Sequence, residues 1–348
     1  MKSILVFCLL FLIGITASFV VITFQSYRSY TNQIESDIAV LQEQVSDNFI
    51  SSSKDVKKAA ELPELARVIQ TNTTSNRQAL EEAFVKLMEQ NSSYAQLRFL
   101  NQKGDEVVRV NQTQNGISIV PQNKLQNKAE RYYFSDTMKL NQGEYYISPL
   151  DLNIEGSQII EPYEPSLRLS TPVFDTTNKK AGMVILNFDT SNVLFEIERK
   201  DDQNPIYRIY FTNSDGEWFR GPTPEDDWAF MFPDGENHRV RYSFPILWSK
   251  ILSTDSGSVL TQDGYFYFGK IKPIELVQQN ESIKQTFSYF SRYLEIRDYY
   301  MVVIVHMPKA LYGELLLKQV VGVNIFYLLL AGGGLGLAGV ILAKRTTK

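Results

Sequence analysis

The sequence predicts an α+β protein: a long N-terminal helix and two antiparallel-sheet units stacked above a membrane, flanked by two transmembrane helices. Three observations predict it. Two charge-free apolar runs, residues 4–24 and 320–343, stand near the ends of the 348-residue chain. A helical stripe of apolar residues leaves the first run. Beyond it the apolar period shortens to that of a strand, and a scheme of strand, turn and strand then occurs twice.

A helix rises ~1.5 Å per residue, so about 20 apolar residues cross the ~30 Å hydrocarbon layer. Both runs reach that length. Lys2 precedes the first run, and Lys344, Arg345 and Lys348 follow the second. The positive-inside rule then places both termini in the cytoplasm and residues 26–319 outside. A cleaved signal peptide ending near Ala17 and Ser18 is the competing reading of the first run. That run exceeds the usual apolar core of about 7–15 residues, and helical periodicity continues past it, which favours an uncleaved anchor.

After the first span, Ile34, Ile38, Leu41, Val45 and Phe49 recur at helical spacing between polar residues such as Glu35 and Glu43. The pattern predicts a helix over 24–60, limited by Pro63. Its stripe is either a dimer seam or a face covering a sheet, the latter favoured for the outer half. A second helix is expected over 77–89. Strands over 94–100 and 106–111 flank a turn at 101–105 as a hairpin. Strict alternation puts Ala95, Leu97 and Phe99 on one face of the first strand, and Tyr94, Gln96 and Arg98 on the other. A polar segment runs to Ala129, a short helix opens over 131–134, and strands resume over 143–148, 166–174 and 181–188. The second unit has hairpins at 206–213/217–219 and 257–262/265–271, a helical stretch carrying Trp248, and a buried strand over 299–306. Helix over 311–318 leads into the second span. The expected divisions are transmembrane helix 1 (1–25), a stalk helix (26–75), a membrane-distal unit (76–200) and a membrane-proximal unit (201–308). A connecting helix (309–319), transmembrane helix 2 (320–343) and a cytoplasmic tip (344–348) complete them.

A net charge of −4 and a pI near 5.5 disfavour nucleic acid as a partner, since a basic stripe would be expected there. The single cysteine, Cys8, lies in the first apolar run, so the exported part has no disulfide and no thiolate metal site. With His238 and His306 the only histidines, no metal and no cofactor are expected. Sequons such as Asn72-Thr73-Thr74 and Asn111-Gln112-Thr113 carry little weight in so polar a chain.

Catalysis needs a nucleophile with a base in reach, paired carboxylates or a metal. His306 sits in an apolar strand and reads as a satisfied core histidine; His238 reads as solvent-facing. Asp201-Asp202 and Asp226-Asp227 are adjacent loop acids of the kind that face water. Gly332-Gly333-Gly334 lies within the second span and is no phosphate loop. No catalytic constellation emerges, and the chain is not expected to be an enzyme. Binding is better supported. Arg98, Arg109, Arg131 and Arg168 fall on or beside elements that also carry Tyr94, Tyr132, Tyr133 and Tyr146. A guanidinium holds a carboxylate through two parallel hydrogen bonds, and aromatic walls would enclose it. The competing reading is that strand arginines face solvent or pair with acids such as Glu106.

The order of helix, two sheet units and helix resembles the double Cache extracellular sensor domain of bacterial histidine kinases, diguanylate cyclases and chemoreceptors, in which each unit is PAS-like. The likeness is carried by residues 94–111 (YAQLRFLNQKGDEVVRVN), 131–153 (RYYFSDTMKLNQGEYYISPLDLN), 165–187 (PSLRLSTPVFDTTNKKAGMVILN) and 213–232 (NSDGEWFRGPTPEDDWAFMF), and spans about residues 26–308. It implies a bacterial inner-membrane sensor with its ligand unit in the periplasm. In amino-acid-binding members the pocket motif has an Arg, a Trp two residues later, a Tyr, then further Tyr and acidic residues. Arg131 matches that Arg, Tyr133 stands in the Trp position and Phe134 in the Tyr position. Tyr146 is followed two residues on by Ser148 rather than an acid, and Asp175 is the candidate for the late acid. An acid would hold an α-ammonium group. The expected ligand is therefore a carboxylate or other small polar solute bound in the distal unit, by Arg131, Tyr133, Tyr146 and Asp175 as the resemblance implies and by Arg98, Arg168 and Tyr94 from the reading of the strands.

In the second span Gly332 and Gly336 place small residues four apart, which lets helix backbones approach closely and points to a homodimer or a partner span. The sequence that follows is Lys344 to Lys348, without a kinase, cyclase or HAMP segment. A signal-input module is thus expected to work in a longer receptor or through a separate signalling partner. The alternative is a non-signalling, membrane-anchored solute-binding or scaffold subunit.

Overall fold

The computed structural model describes residues 2–155, 158–272, 275, 287–288, 299–311 and 313–314. Helix α1 (Lys2–Ala60) runs without a break through the first apolar run and the stalk. Its stripe of Ile34, Ile38, Leu41, Val45 and Phe49 is buried in one core with residues of both sheets, so the stripe covers sheet rather than forming a dimer seam. Among the described residues no helix is long and apolar enough to cross a membrane. The second apolar run, with Gly332 and Gly336, lies outside the described residues.

Pro63 ends α1 through its neighbour: Leu62 is pushed to extended backbone, and Pro63 itself opens α2 (Pro63–Gln70), a helix the sequence reading did not anticipate. Thr73 caps α3 (Thr74–Met88) by accepting the Asn76 N–H at 3.2 Å.

The distal sheet comprises β1 (Tyr94–Asn101), β2 (Glu106–Thr113), β3 (Gly116–Ile119), β4 (Tyr145–Ile147), β5 (Asp151–Leu152), β8 (Pro165–Phe174), β9 (Lys180–Asp189) and β14 (Phe287–Ser288). A small hairpin, β6 (Ile154–Glu155) with β7 (Gln158–Ile159), stands apart. The spatial order is β14-β4-β8-β9-β1-β2-β3; all pairs are antiparallel except β14 with β4. β3 lies within the stretch that the sequence marks only as polar. Leu97, Phe99, Leu167, Leu169, Val184 and Leu186 face α1, and their alternates Arg98, Arg168, Ser170, Ile185 and Asn187 face away. Gly104 closes the β1–β2 turn at φ +82°, and a Cβ there would stand 2.6 Å from the Ala129 backbone nitrogen.

Helix α5 (Ser191–Gln203) connects the two sheets and spans the position where the units were expected to part. The proximal sheet has the order β11-β10-β15-β13-β12, from β10 (Arg208–Asn213), β11 (Trp218–Arg220), β12 (Ser256–Leu260), β13 (Gly264–Ile271) and β15 (Met301–Pro308). One face joins the α1 core through Ile209, Phe211, Val303 and Val305. The other packs Tyr210, Trp218, Phe266 and Ile304 against α6 (Val240–Ser243) and α7 (Pro245–Ser253).

Candidate binding site on the distal sheet

On the distal face turned away from α1, the short helix α4 (Tyr132–Thr137) lays Tyr132, Tyr133 and Phe134 across the strands. Arg131 begins it with extended backbone, its carbonyl accepting the Phe134 N–H at 3.0 Å. Tyr133 becomes the centre of a cation cluster: the guanidinium carbons of Arg98, Arg131 and Arg168 lie 5.6, 5.9 and 5.5 Å from its ring centroid. Burial alone would raise the Tyr133 pKa. The charges of Arg98, Arg168 and Lys128 outweigh it and hold the phenol below its ordinary value.

Two carboxylates face these cations, and both are engaged. Asp151 accepts from Arg168 Nη1 at 2.5 Å and from the Tyr132 hydroxyl at 2.7 Å. Glu106 lies 3.4 Å from Arg98 Nη1 and 3.8 Å from Arg109 Nη1, and accepts the Gln126 N–H at 3.1 Å. Arg98 Nη2 also donates to Asn187 at 2.6 Å, and Asn187 in turn donates to Gln96 at 3.4 Å. Burial opposes the charge on Arg168, but Asp151 and Tyr132 more than restore it, and its pKa is raised. The guanidinium stays charged although only 2% exposed. Both ion pairs are thus formed within the protein, and Arg131 stands beside them at the Tyr133 ring. Asp151 and Glu106 each already hold a guanidinium, so neither is open to an ammonium group.

The structure thus brings together Arg98, Arg131, Arg168, Tyr133 and Tyr146, the last fully buried beside Tyr133. It does not bring Tyr94 or Asp175 to them. The register of β1 against β9 shifts between Tyr94 and Gln96, and this bulge turns Tyr94 to the α1 side, where its hydroxyl donates to Asp55 at 2.5 Å. Asp175 caps its own turn, accepting from Thr177 N and Lys179 N at 2.8 and 2.9 Å. It stands seven residues beyond Arg168, ~23 Å along an extended chain. The acid that meets Arg168 on this face is Asp151. It lies three residues past Ser148, where an acid was looked for, within a segment the resemblance already singled out.

A cleft of about 440 Å³ opens on this sheet where β1 and β8 begin, lined by Gln96, Arg109, Asn111, Asn153, Ser166 and Asn187 among others. None of Arg98, Arg131, Arg168, Tyr133 and Tyr146 lines it. Its sequence signal is the amide-rich stretch Asn111-Gln112-Thr113-Gln114 at the end of β2, noticed in the sequence for its sequon alone.

The proximal unit presents a filled face instead. His306 is stacked on Phe266 at 4.1 Å, with Nδ1 3.1 Å from the Tyr210 hydroxyl and Nε2 3.3 Å from the Asp263 carbonyl, the satisfied core histidine expected from its strand. Asp226, read as a water-facing loop acid, is buried; its Oδ1 is 2.8 Å from His238 Nδ1, and its Oδ2 accepts from Thr223 at 3.0 Å.

The family model of the bacterial histidine kinase sensor domain matches residues 27–283. None of the curated proteins matches this sequence. Among solved structures, a domain of a sensory box/GGDEF-family protein from Vibrio parahaemolyticus superposes with a TM-score of 0.61 at 17% identity, covering 81% of this chain and 97% of that one. The extracellular domain of the histidine kinase vpHK1S-Z8 gives 0.61 at 17%, covering 81% and 92%. The periplasmic sensory domain of the Campylobacter jejuni chemoreceptor Tlp1 gives 0.55 at 13%, covering 80% and 94%. At these identities the likeness is one of fold.

Proposed function

The chain belongs to the bacterial histidine kinase sensor-domain family, and from that premise we propose a membrane-anchored periplasmic sensor, not an enzyme, whose distal unit binds a small carboxylate-type anion. The observation that carries the ligand class is the charge balance around Tyr133. Arg98, Lys128, Arg131 and Arg168 gather there against Asp151 and Glu106, each of which already holds a guanidinium. Arg131 is the proposed anion clamp, with Tyr133 and Tyr146 as aromatic walls.

In this reading residues 4–24 and 320–343 anchor the chain in the inner membrane, residues 76–200 and 201–308 are the distal and proximal units, and Gly332 and Gly336 bring spans together in a homodimer. Binding shifts a two-state helix arrangement by its differential affinity for the two states, and a cytoplasmic partner reads the shift. Two sets of contacts, the first half-buried and the second buried, support such coupling. Asp55 and Asp37 of α1 accept from Tyr94 of the distal sheet and Tyr207 beside the proximal sheet, both at 2.5 Å. The Leu150 N–H, next to Asp151, donates to the Tyr299 hydroxyl at 3.1 Å, two residues ahead of β15.

The test is the melting temperature of the full chain in detergent micelles with succinate, malate, citrate and acetate. At least one is expected to raise it saturably, and Arg131→Ala to abolish the rise. No shift with any acid, together with no effect of Arg131→Ala, would overturn the reading.

A further inference from the structure

We infer that the cleft where β1 and β8 begin is a second binding site, for an uncharged polyhydroxylated molecule of monosaccharide size. This goes beyond the anion site and does not rest on it. The volume of about 440 Å³ suits a small molecule, since such sites run roughly 300–1,000 Å³. Six of the sixteen lining residues are carboxamides, twice the number of charged ones. Gln96 and Asn187 come from the strands, Asn111, Gln112 and Gln114 from the end of β2 and the turn after it, and Asn153 from the loop opposite.

A carboxamide donates and accepts at once, as does a hydroxyl, so a ring of amides matches a run of hydroxyls and selects for no charge. The charged groups of the lining are engaged within the protein. Arg109 lies 3.8 Å from Glu106 and donates to Asn111 at 2.9 Å. Glu164 accepts from Asn153 at 2.9 Å, and Asp189 accepts the Ser191 N–H at 2.8 Å. The cleft therefore lacks the surplus of cations found around Tyr133.

Ser166 is the second observation. It lines the cleft, is only 4% exposed, and its hydroxyl has no hydrogen-bond partner among the described residues. A buried hydroxyl left unpaired costs stability, and a ligand hydroxyl that pairs with it recovers that cost. Asn187 forms the wall between the two sites, holding Arg98 on one side and Gln96 on the other.

The experiment titrates the full chain in detergent micelles with D-glucose, D-mannitol and myo-inositol, with succinate as the anionic control and putrescine as the cationic one. At least one uncharged probe is expected to bind saturably. Ser166→Ala should weaken it roughly three- to tenfold, the loss of one neutral hydrogen bond, while leaving the unliganded melting temperature equal or higher. Gln114→Ala, on the exposed rim, should weaken it less, and both variants should leave the succinate response unchanged. The inference is overturned if no uncharged probe binds, if putrescine alone binds, or if both variants bind the uncharged probe as the parent does. A succinate response with no uncharged binding would leave the anion site standing and remove this one; the reverse result would do the opposite.

Discussion

Replacing Asp151 by alanine should destabilise the distal unit by about 4 kcal/mol. Arg168, 2% exposed, would lose its carboxylate partner at 2.5 Å, and the Tyr132 hydroxyl would lose its acceptor at 2.7 Å. Stranding one member of a buried pair costs roughly 3–5 kcal/mol, and an unmet buried hydroxyl about 1–3 kcal/mol more. The two overlap, because Arg168 Nη1 lies 3.3 Å from the Tyr132 oxygen, so they do not add in full. The companion variant Asp151→Ala/Arg168→Met removes the stranded charge and should recover most of the loss. Urea denaturation followed by far-UV circular dichroism measures both. Tryptophan fluorescence is the internal control, since Trp218, Trp228 and Trp248 all lie in the proximal unit. A cost below about 1 kcal/mol for Asp151→Ala would refute the argument, because a buried uncompensated guanidinium is not that cheap. A double variant as unstable as the single one would show that the cost does not come from charge.

Tyr94→Phe should cost about 1.5–3 kcal/mol in urea unfolding, the worth of a hydrogen bond to a charged group, and should speed hydrogen exchange in α1 around Asp55. Tyr299→Phe leaves the buried Leu150 N–H without its acceptor and should cost about 1–3 kcal/mol in the same assay. Gly104→Ala must hold a left-handed backbone against Ala129, and a loss of more than about 1 kcal/mol is expected on thermal melting. Burial lowers the His306 pKa below its ordinary value of 6.5, with the Asp263 carbonyl only partly offsetting it. Its neutral form is therefore favoured by folding: that contribution is complete above pH 6.5 and is lost as the pH falls through the folded value. His306→Phe, which keeps the stack on Phe266, should flatten the fall in stability between neutral pH and pH 5.5, read by tryptophan fluorescence in urea.

The elements with strong apolar periods were legible in the sequence. The α1 stripe, the strands β1, β2, β8 and β9 and the buried strand β15 fall where alternation or helical spacing puts them. Helices α2 and α5 escaped because each buries only two residues of its length, Leu65 and Val68 in one and Val193 and Ile197 in the other, too few to set a period. Tyr94 was placed on the wrong face because alternation assumes an unbroken register, and a bulge is set by the partner strand β9 rather than by β1 itself. The arginines and tyrosines of the candidate site could be named from composition and resemblance. Of their partners only Glu106 was named, in the competing reading, and its pairing with Arg98 and Arg109 bears that part out; Asp151 and Asn187 meet Arg168 and Arg98 only when β1, β5, β8 and β9 come together. The cleft is less legible still, its lining drawn from four stretches of chain that share no motif.

The central claim is that the distal face accepts an anion and offers nothing to an ammonium group. Isothermal titration of the full chain in detergent micelles with succinate and with L-aspartate tests it most directly, since the two share their carboxylates and differ by one α-ammonium. The account predicts that succinate binds and that L-aspartate binds more weakly, with both lost in Arg131→Ala. Tighter binding of L-aspartate than of succinate would contradict it, for it would require a carboxylate that Arg168 and Arg98 leave open.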